Sequence, residues 1–298
     1  MPRASRSRSP AVERELPAYS GGVLEVQRWP ELRDPVLVVA LSGWVDAGMA
    51  GANAAVVIRD QLDVSCRFAR IDCADLVDLQ QTRPQVEIVD GVTRRVSWPQ
   101  IELVAGRAGR DLVVCIGPEP SLRWPTVVRT LVDACQRLGV VAAFGLGAMP
   151  AVSTHRRPVP VLATVSDPAL AERAGALRTD YVGMTGLQTA LLVALGQVGI
   201  PAVGLWAQVP HYVAGSPSPP AVRALLARLI ELTGIELDLE DLDRDVARYL
   251  RKVDAGLADR PDVAEIVQAI ESQHPSIPTG DELVSEIERY LRSQPDQD

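Results

Sequence analysis

The chain has 298 residues, 47% of them hydrophobic and 23% charged, which suits one large α/β domain or a domain of roughly 200 residues with a smaller unit attached. A formal net charge of −8 argues against broad binding to nucleic acid or to an anionic membrane. Cys66, Cys73, Cys115 and Cys135 form no CxxC pair and read as buried thiols of a reducing cytoplasm, not as a metal site or a disulfide framework.

Met1 to Glu15 is rich in Arg, Ser and Pro and has no apolar core. It is neither a signal peptide nor a membrane span, so residues 1–18 are expected to be a disordered tail and the protein cytoplasmic. Gly22 to Trp29 alternates like an edge strand. Pro35 to Leu41 is an unbroken apolar, β-branched run that turns at Ser42-Gly43 through Trp44-Val45-Asp46-Ala47-Gly48 into an Ala-rich helix from Met49 to about Leu62. A strand apolar on both faces belongs inside a parallel sheet covered by helices. Ser65 to Ile71 is expected to pair beside it. Asp90-Gly91 joins two short strands, Val86 to Val89 and Val92 to Trp98, as a tight hairpin. Gln100 to Arg107 returns as a strand.

Asp111 to Gly117 is a second buried strand, followed by the loop Gly117-Pro-Glu-Pro-Ser-Leu-Arg-Trp124 and a helix to about Leu138. Val140 to Phe144 is a third, ending in Gly145-Leu-Gly147-Ala-Met-Pro150. Val159 to Val165, a short helix opened by Asp167-Pro168, a helix from Leu187 to Leu195 and a strand from Ile200 to Val209 follow. Alternating strands and helices point to a three-layer α/β/α sandwich with a mostly parallel sheet over residues 19–215. After Gly215-Ser-Pro-Ser-Pro-Pro220 the pattern is helical only: 221–232, 238–253, 263–272 and 281–292, a C-terminal region spanning 216–298. No internal repeat is present.

The loops hold the chemistry-bearing residues. Gly43 and Gly48 have the spacing of a phosphate loop, but Met49-Ala50 stand where such a loop needs Lys and Ser/Thr. Gly145-Leu-Gly147 starts like a dinucleotide fingerprint, with Pro150 where Gly or Ala is required. His155, His211 and His274 have no metal-like spacing. Asp46, His155 and Ser153 or Thr154 would make a nucleophilic set if the fold gathered them, although no Gly-x-Ser-x-Gly elbow exists. Glu119 and Arg123 are four apart, as a structural ion pair or as the holders of a polar ligand.

Together, Gly43-Trp44-Val-Asp46-Ala47-Gly48, the 117–124 loop, His155-Arg-Arg-Pro158, Val209-Pro-His-Tyr212 and Pro278-Thr-Gly-Asp-Glu-Leu283 occur in an order that resembles the proteasome assembly chaperone 2 family in its actinobacterial form. The resemblance covers the chain from about residue 20. It implies a sandwich related to nucleoside-phosphorylase-like folds with a helical appendage, and self-association with a trimer as a candidate assembly. It also implies kinship with chaperones of proteasome core particles. Such chaperones dock through a carboxyl-terminal hydrophobic–Tyr–x ending; this chain ends Gln294-Pro-Asp-Gln-Asp298, so docking by that route is not expected. The label of ATP-dependent carboxylate–amine ligase given to some members fits poorly with a chain whose one lysine is Lys252.

Two functions follow. The first is a non-catalytic, chaperone-like protein that meets protein partners, proteasome subunits among them, with no cofactor. The second is a binder or enzyme for a nucleoside- or carboxylate-like small molecule. Its pocket would lie at the carboxyl ends of the strands, lined by Trp44, Asp46, Gly48, Glu119, Arg123, Gly147, His155 and His211.

Overall fold

The run Val36–Ser42 forms a strand, β2, in which every residue but the last is buried. Its side chains alternate between two cores. Leu37, Val39 and Leu41 enter one apolar cluster, and Val36, Val38 and Ala40 enter another on the opposite face. A strand with two buried faces requires a helical layer on each side, which is the physical origin of the sandwich.

The computed structural model describes residues 23–176 and 181–272. The amino-terminal tail, His274, the 279–282 capping signal and the final expected helix lie outside the described residues. Around β2 the strands are β1 (Leu24–Val26), β3 (Asp63–Asp72), β4 (Gln85–Val89), β5 (Val92–Ser97), β6 (Gln100–Ala108), β7 (Arg110–Pro118), β8 (Ala142–Ala151), β9 (Val161–Val165) and β10 (Ala202–Pro210). The helices are α1 (Ala50–Asp60), α2 (Trp124–Leu138), α3 (Leu187–Gln197), α4 (Pro219–Thr233), α5 (Glu240–Leu257) and α6 (Pro261–Ser272). Eight strands form one sheet in the order β1-β3-β6-β7-β2-β8-β10-β9, and β4 and β5 form a separate ribbon.

The sheet is mixed, not mostly parallel. β7, β2, β8 and β10 run parallel to one another, while β1–β3, β3–β6, β6–β7 and β10–β9 are antiparallel. The reason lies in the turns. β6 and β7 are separated by Gly109 alone, at φ +74°, with Ala108 opposite Arg110. A connection that short can only reverse the chain, whereas a parallel pair needs a crossover of a dozen residues or more. For the same reason β3 does not pair beside β2 as the sequence suggested; it lies between β1 and β6.

α2 and α3 cover one face, through Val127, Leu131, Leu187 and Leu191. α1 and α4 cover the other, through Ala54, Ile58, Val222 and Leu225. Full burial of each Leu, Ile or Val contributes about 1.5–3 kcal/mol. Thus α4, the first helix after residue 215, is a layer of the sandwich. By contrast α5 has no fully buried residue and carries Glu240, Asp241 and Asp243 in its first turn, where they complement the helix dipole.

The carboxyl edge of the sheet as candidate functional site

Because β2, β7, β8 and β10 are parallel, the loops that follow them share one edge of the sheet. Trp44, Asp46, Gly48, Glu119, Arg123, His155 and His211 all follow these strands and occupy that edge. Gly147 does not. β8 continues through Ala151, so the expected loop 145–150 is strand. A Cβ on Gly147 would meet the Trp206 ring at 2.5 Å, so the absence of a side chain there admits the indole against the strand.

Asp46 is buried beneath the edge. Its Oδ1 accepts from the Gly51 N–H at 2.7 Å and its Oδ2 from the Ala52 N–H at 3.3 Å. Burial pushes its carboxyl up from 3.8 to about 6, and the two backbone amides restrain the rise. A carboxylate so tuned has the pKa of a general acid, yet both oxygens are turned onto the amino end of α1. Gly48, at φ +62°, closes the same bend: its N–H donates to the Ala214 carbonyl at 2.7 Å and its carbonyl accepts from the Ser218 N–H at 2.9 Å. The β2 loop is thereby stitched to the entry of α4.

Glu119 repeats the arrangement one strand over. Its Oε1 accepts from the Leu187 N–H at 2.7 Å, at the start of α3. Burial raises its carboxyl above the usual range, offset by the amides of Leu187 and Trp44. It makes no ion pair with Arg123 among the described residues. Arg123 instead sits at φ +58° as the residue before α2. Both edge acids are therefore helix caps.

The His155 ring is almost wholly enclosed and both its nitrogens are engaged. Nδ1 lies 2.7 Å from the Tyr212 hydroxyl and Nε2 lies 3.1 Å from Asp254 Oδ1 on α5. The Tyr212 hydroxyl also accepts from the His155 N–H at 2.9 Å. The neighbouring residues extend the attachment. Arg156 bridges Asp254 and Glu271, Arg157 donates to the Glu271 carbonyl at 3.0 Å, and the Thr154 hydroxyl meets Glu271 Oε1 at 3.3 Å. His155-Arg-Arg157 is the clamp that holds α5 and α6 to the sandwich. Asp46 and His155 have separate partners, so no nucleophilic set with Ser153 or Thr154 is assembled. His211 is exposed and rests edge-on against Tyr212, with ring centroids 5.5 Å apart. Sequence reasoning missed Asp254 and Glu271, since an acid on an amphipathic helix carries no mark of its distant partner.

The outward surface of this edge exposes large apolar side chains among polar ones such as Ser42, Ser121, Arg123 and His211. Trp44 is 37% exposed, Met49 45%, Trp98 56%, Leu122 57%, Val152 49% and Met184 63%. These side chains lie in loops that follow β2, β7 and β8 or precede β6 and α3. Isolated exposed hydrophobics are ordinary; a concentration on one edge marks a surface that meets another apolar surface. Among the described residues, cavities of about 930, 270 and 440 Å3 lie away from Trp44, Asp46, Glu119 and His155, the one of 930 Å3 at the opposite end, beside Asp34 and Arg110. Among the described residues no group of three or more His, Cys, Asp or Glu is placed to hold a metal ion, and no helix is long and apolar enough to cross a membrane.

Comparison with known proteins places this architecture. Residues 40–255 match the PAC2 family. The chain is 36% identical to a proteasome-assembly chaperone homologue of Mycobacterium tuberculosis, over 78% of this chain and 99% of that one, with a TM-score of 0.71. It is 40% identical to a PAC2 family protein of Streptomyces avermitilis, over 78% and 100% of the two chains, with a TM-score of 0.72. A second M. tuberculosis protein, of unknown function, is 27% identical over 93% of this chain and 95% of its own, with a TM-score of 0.79. No protein of curated function matches the chain. The family match and the two relatives above 30% identity establish that the chain belongs to the PAC2 family.

Proposed function

We propose that the protein is a non-catalytic, chaperone-like member of its family that binds protein partners through the carboxyl edge of the sheet. The observation that carries this is the division of labour at the edge: Asp46, Glu119 and His155 face inward as caps and clamps, while Trp44, Leu122 and Met184 face outward. A catalytic edge would have the reverse arrangement, with polar groups aimed at a cleft. Proteasome subunits are the partner class, by kinship with the mycobacterial proteasome-assembly chaperone homologue. The same reading assigns the protein to the cytoplasm and to a self-associated state. It treats 19–215 together with α4, which packs as a layer of the sandwich, as the core unit and the helices after α4 as the attachment, and keeps the nucleoside-phosphorylase-like ancestry of the sandwich as part of the proposal.

The test is co-purification of the full chain with proteasome core subunits, for the wild type and a Trp44→Ala/Leu122→Ala/Met184→Ala variant. The expected result is a loss of recovered subunits of at least tenfold with an unchanged thermal midpoint. Equal recovery by both would overturn the edge as the partner surface. Saturable thermal stabilisation by a nucleoside or carboxylate, abolished by Trp44→Ala, would replace the proposal with a small-molecule function.

A further inference from the structure

At the amino end of the parallel strands, opposite the Trp44 edge, a cavity of about 270 Å3 enters the side of the sandwich that α1 and α4 cover. Its walls are Val36 at the start of β2, Ala142 and Phe144 of β8, Val203 of β10, Leu170, and Leu232 in the last turn of α4. All six belong to the apolar core on that face or pack against it. The hollow lies where the sheet, the end of α4 and the turn Pro168–Leu170 converge without touching, and Ala142 and Ala174 reach into it with a methyl group each. Side chains around such a hollow forfeit the contacts that filling atoms would supply.

The polar members of the lining are Arg110, Arg173 and Thr233, and no lining residue is acidic. Arg110 donates from Nη1 to the Thr233 carbonyl at 3.3 Å and from Nη2 to the Asp34 carbonyl at 3.1 Å. Its Nε is buried and has no acceptor among the described residues. Arg173 donates from Nη2 to the Leu232 carbonyl at 3.2 Å. Neither guanidinium is in an ion pair among the described residues. The Leu232 and Thr233 carbonyls close α4, so both arginines cap that helix. Capping does not balance their charge, because a helix carboxyl end presents only about half an elementary negative charge against two full positive ones. Arg110 and Thr233 also border the cavity of about 930 Å3. Arg110 therefore stands where the apolar hollow meets a wider polar cleft, whose acids Glu31, Asp34 and Asp111 form no ion pair with it.

We propose that this cavity is a binding site for a small monocarboxylate with an apolar body, its carboxylate on Arg110 and Arg173 and its carbon chain against Phe144, Val203 and Leu232. A carboxylate only accepts hydrogen bonds and matches the guanidinium fork. The apolar walls reject a sugar or a zwitterion, whose polar groups would find no partner there. Drug-sized ligands occupy about 300–1,000 Å3, so a hollow of about 270 Å3 selects a short aliphatic chain over a nucleotide. The site is remote from the carboxyl edge and does not depend on what that edge binds.

The test is calorimetric titration of the full chain with hexanoate, set against hexanol, hexylamine and acetate, with amide NMR to locate the response. Hexanoate is expected to bind saturably and at least tenfold more tightly than the other three, with shifts gathered at residues 141–144, 170–174, 201–203 and 232–233. Arg173→Gln, at an exposed side chain, and Arg110→Gln should each weaken hexanoate about tenfold while leaving hexanol unchanged. Ala174→Leu fills the hollow and should abolish binding, and Trp44→Ala should leave it intact. The thermal midpoint of Arg173→Gln, expected to be unchanged, separates loss of the site from loss of the fold. Absence of saturable hexanoate binding would overturn the proposal. So would equal affinity for hexanol, undiminished binding by Arg173→Gln, or shifts centred on Trp44.

Discussion

His155 Nε2 and Asp254 Oδ1 are 3.1 Å apart, across 99 residues of sequence, and this contact joins the end of β8 to the middle of the helical appendage. The histidine is enclosed while the aspartate is half exposed. The hydrogen bond from His155 is the chief cause holding the Asp254 carboxyl below its usual range, with Arg156 adding to it. A carboxylate lowered in the folded state contributes stability above its ordinary value and loses it as pH falls through the lowered one. Acidification below the normal carboxylate range is therefore expected to loosen α5 and α6 before the sheet. Hydrogen exchange as a function of pH checks this: amides of residues 240–272 should lose protection first.

His155→Ala removes the ring that links Tyr212 to Asp254 and leaves the Tyr212 hydroxyl with fewer partners. Loss of buried hydrogen bonds of this kind costs about 1–3 kcal/mol. The expected outcome is local: faster exchange and proteolysis within α5 and α6, with the denaturant midpoint of the sandwich nearly unchanged. Equal loss of protection in β2 and β7 would show that the clamp supports the whole fold.

Asp46 gives the opposite dependence on pH. Its carboxyl is raised from 3.8 to about 6 by burial, so the folded state binds the proton more tightly than the unfolded chain. Stability attributable to the group is present below about pH 4 and declines as pH rises toward 6, a difference of roughly 3 kcal/mol. Asp46→Asn keeps an acceptor for the Gly51 amide and removes the buried charge. It is expected to match or exceed the wild type at pH 7 and to abolish this decline. Asp46→Ala loses the cap as well and should be less stable than Asn by about 1 kcal/mol. Urea denaturation at pH 4.5 and pH 7 distinguishes the three proteins.

Glu119→Gln and Glu119→Ala form a parallel pair at α3. Glutamine can still accept from the Leu187 N–H, 2.7 Å from the native oxygen. Alanine leaves that amide bare at the amino end of the helix and is expected to cost about 0.5–2 kcal/mol more, read from thermal midpoints. Equal midpoints for the two variants would remove Glu119 from the list of helix caps.

These contacts mark where sequence patterning stops being informative. β2, β7 and β10 were legible because continuous apolar runs can only be central strands, and the Asp90-Gly91 hairpin because its turn demands those residues. Strand direction was not legible: Gly109, the single residue that reverses β6 into β7, sits in Arg107-Ala-Gly-Arg-Asp111 without the two-residue signature of a hairpin turn. Gly145 and Gly147 read as a loop because glycine disfavours strands in isolation, but here Trp206 and Gln188 occupy the space their side chains would take. Trp44 and His155 follow the parallel neighbours β2 and β8, whose continuous apolar runs the sequence displays. The inward turn of Asp46 and Glu119 depends on helix ends whose positions no local pattern specifies.

The contrast between Gly51 and Gly256 tests how closely α1 is seated. Glycine to alanine within a helix ordinarily stabilises by about 1 kcal/mol, because alanine loses less backbone entropy. At Gly256 in α5 nothing lies within 4 Å of the added Cβ, so the ordinary gain is expected. At Gly51 in α1 the same atom would stand 2.3 Å from the Leu146 carbonyl oxygen and 2.9 Å from its carbon, both backbone of the central strand β8. Neither can rotate away, and displacing the helix would pull Ala50 and Ala54 from the core and draw the Gly51 N–H off Asp46. Gly51→Ala is therefore expected to destabilise by about 1–3 kcal/mol or more, while Gly256→Ala raises the midpoint of α5 unfolding. Denaturant titration of the two single variants reads the sign directly: a stabilising Gly51→Ala would mean that α1 rides farther from β8 than the contact at Leu146 requires.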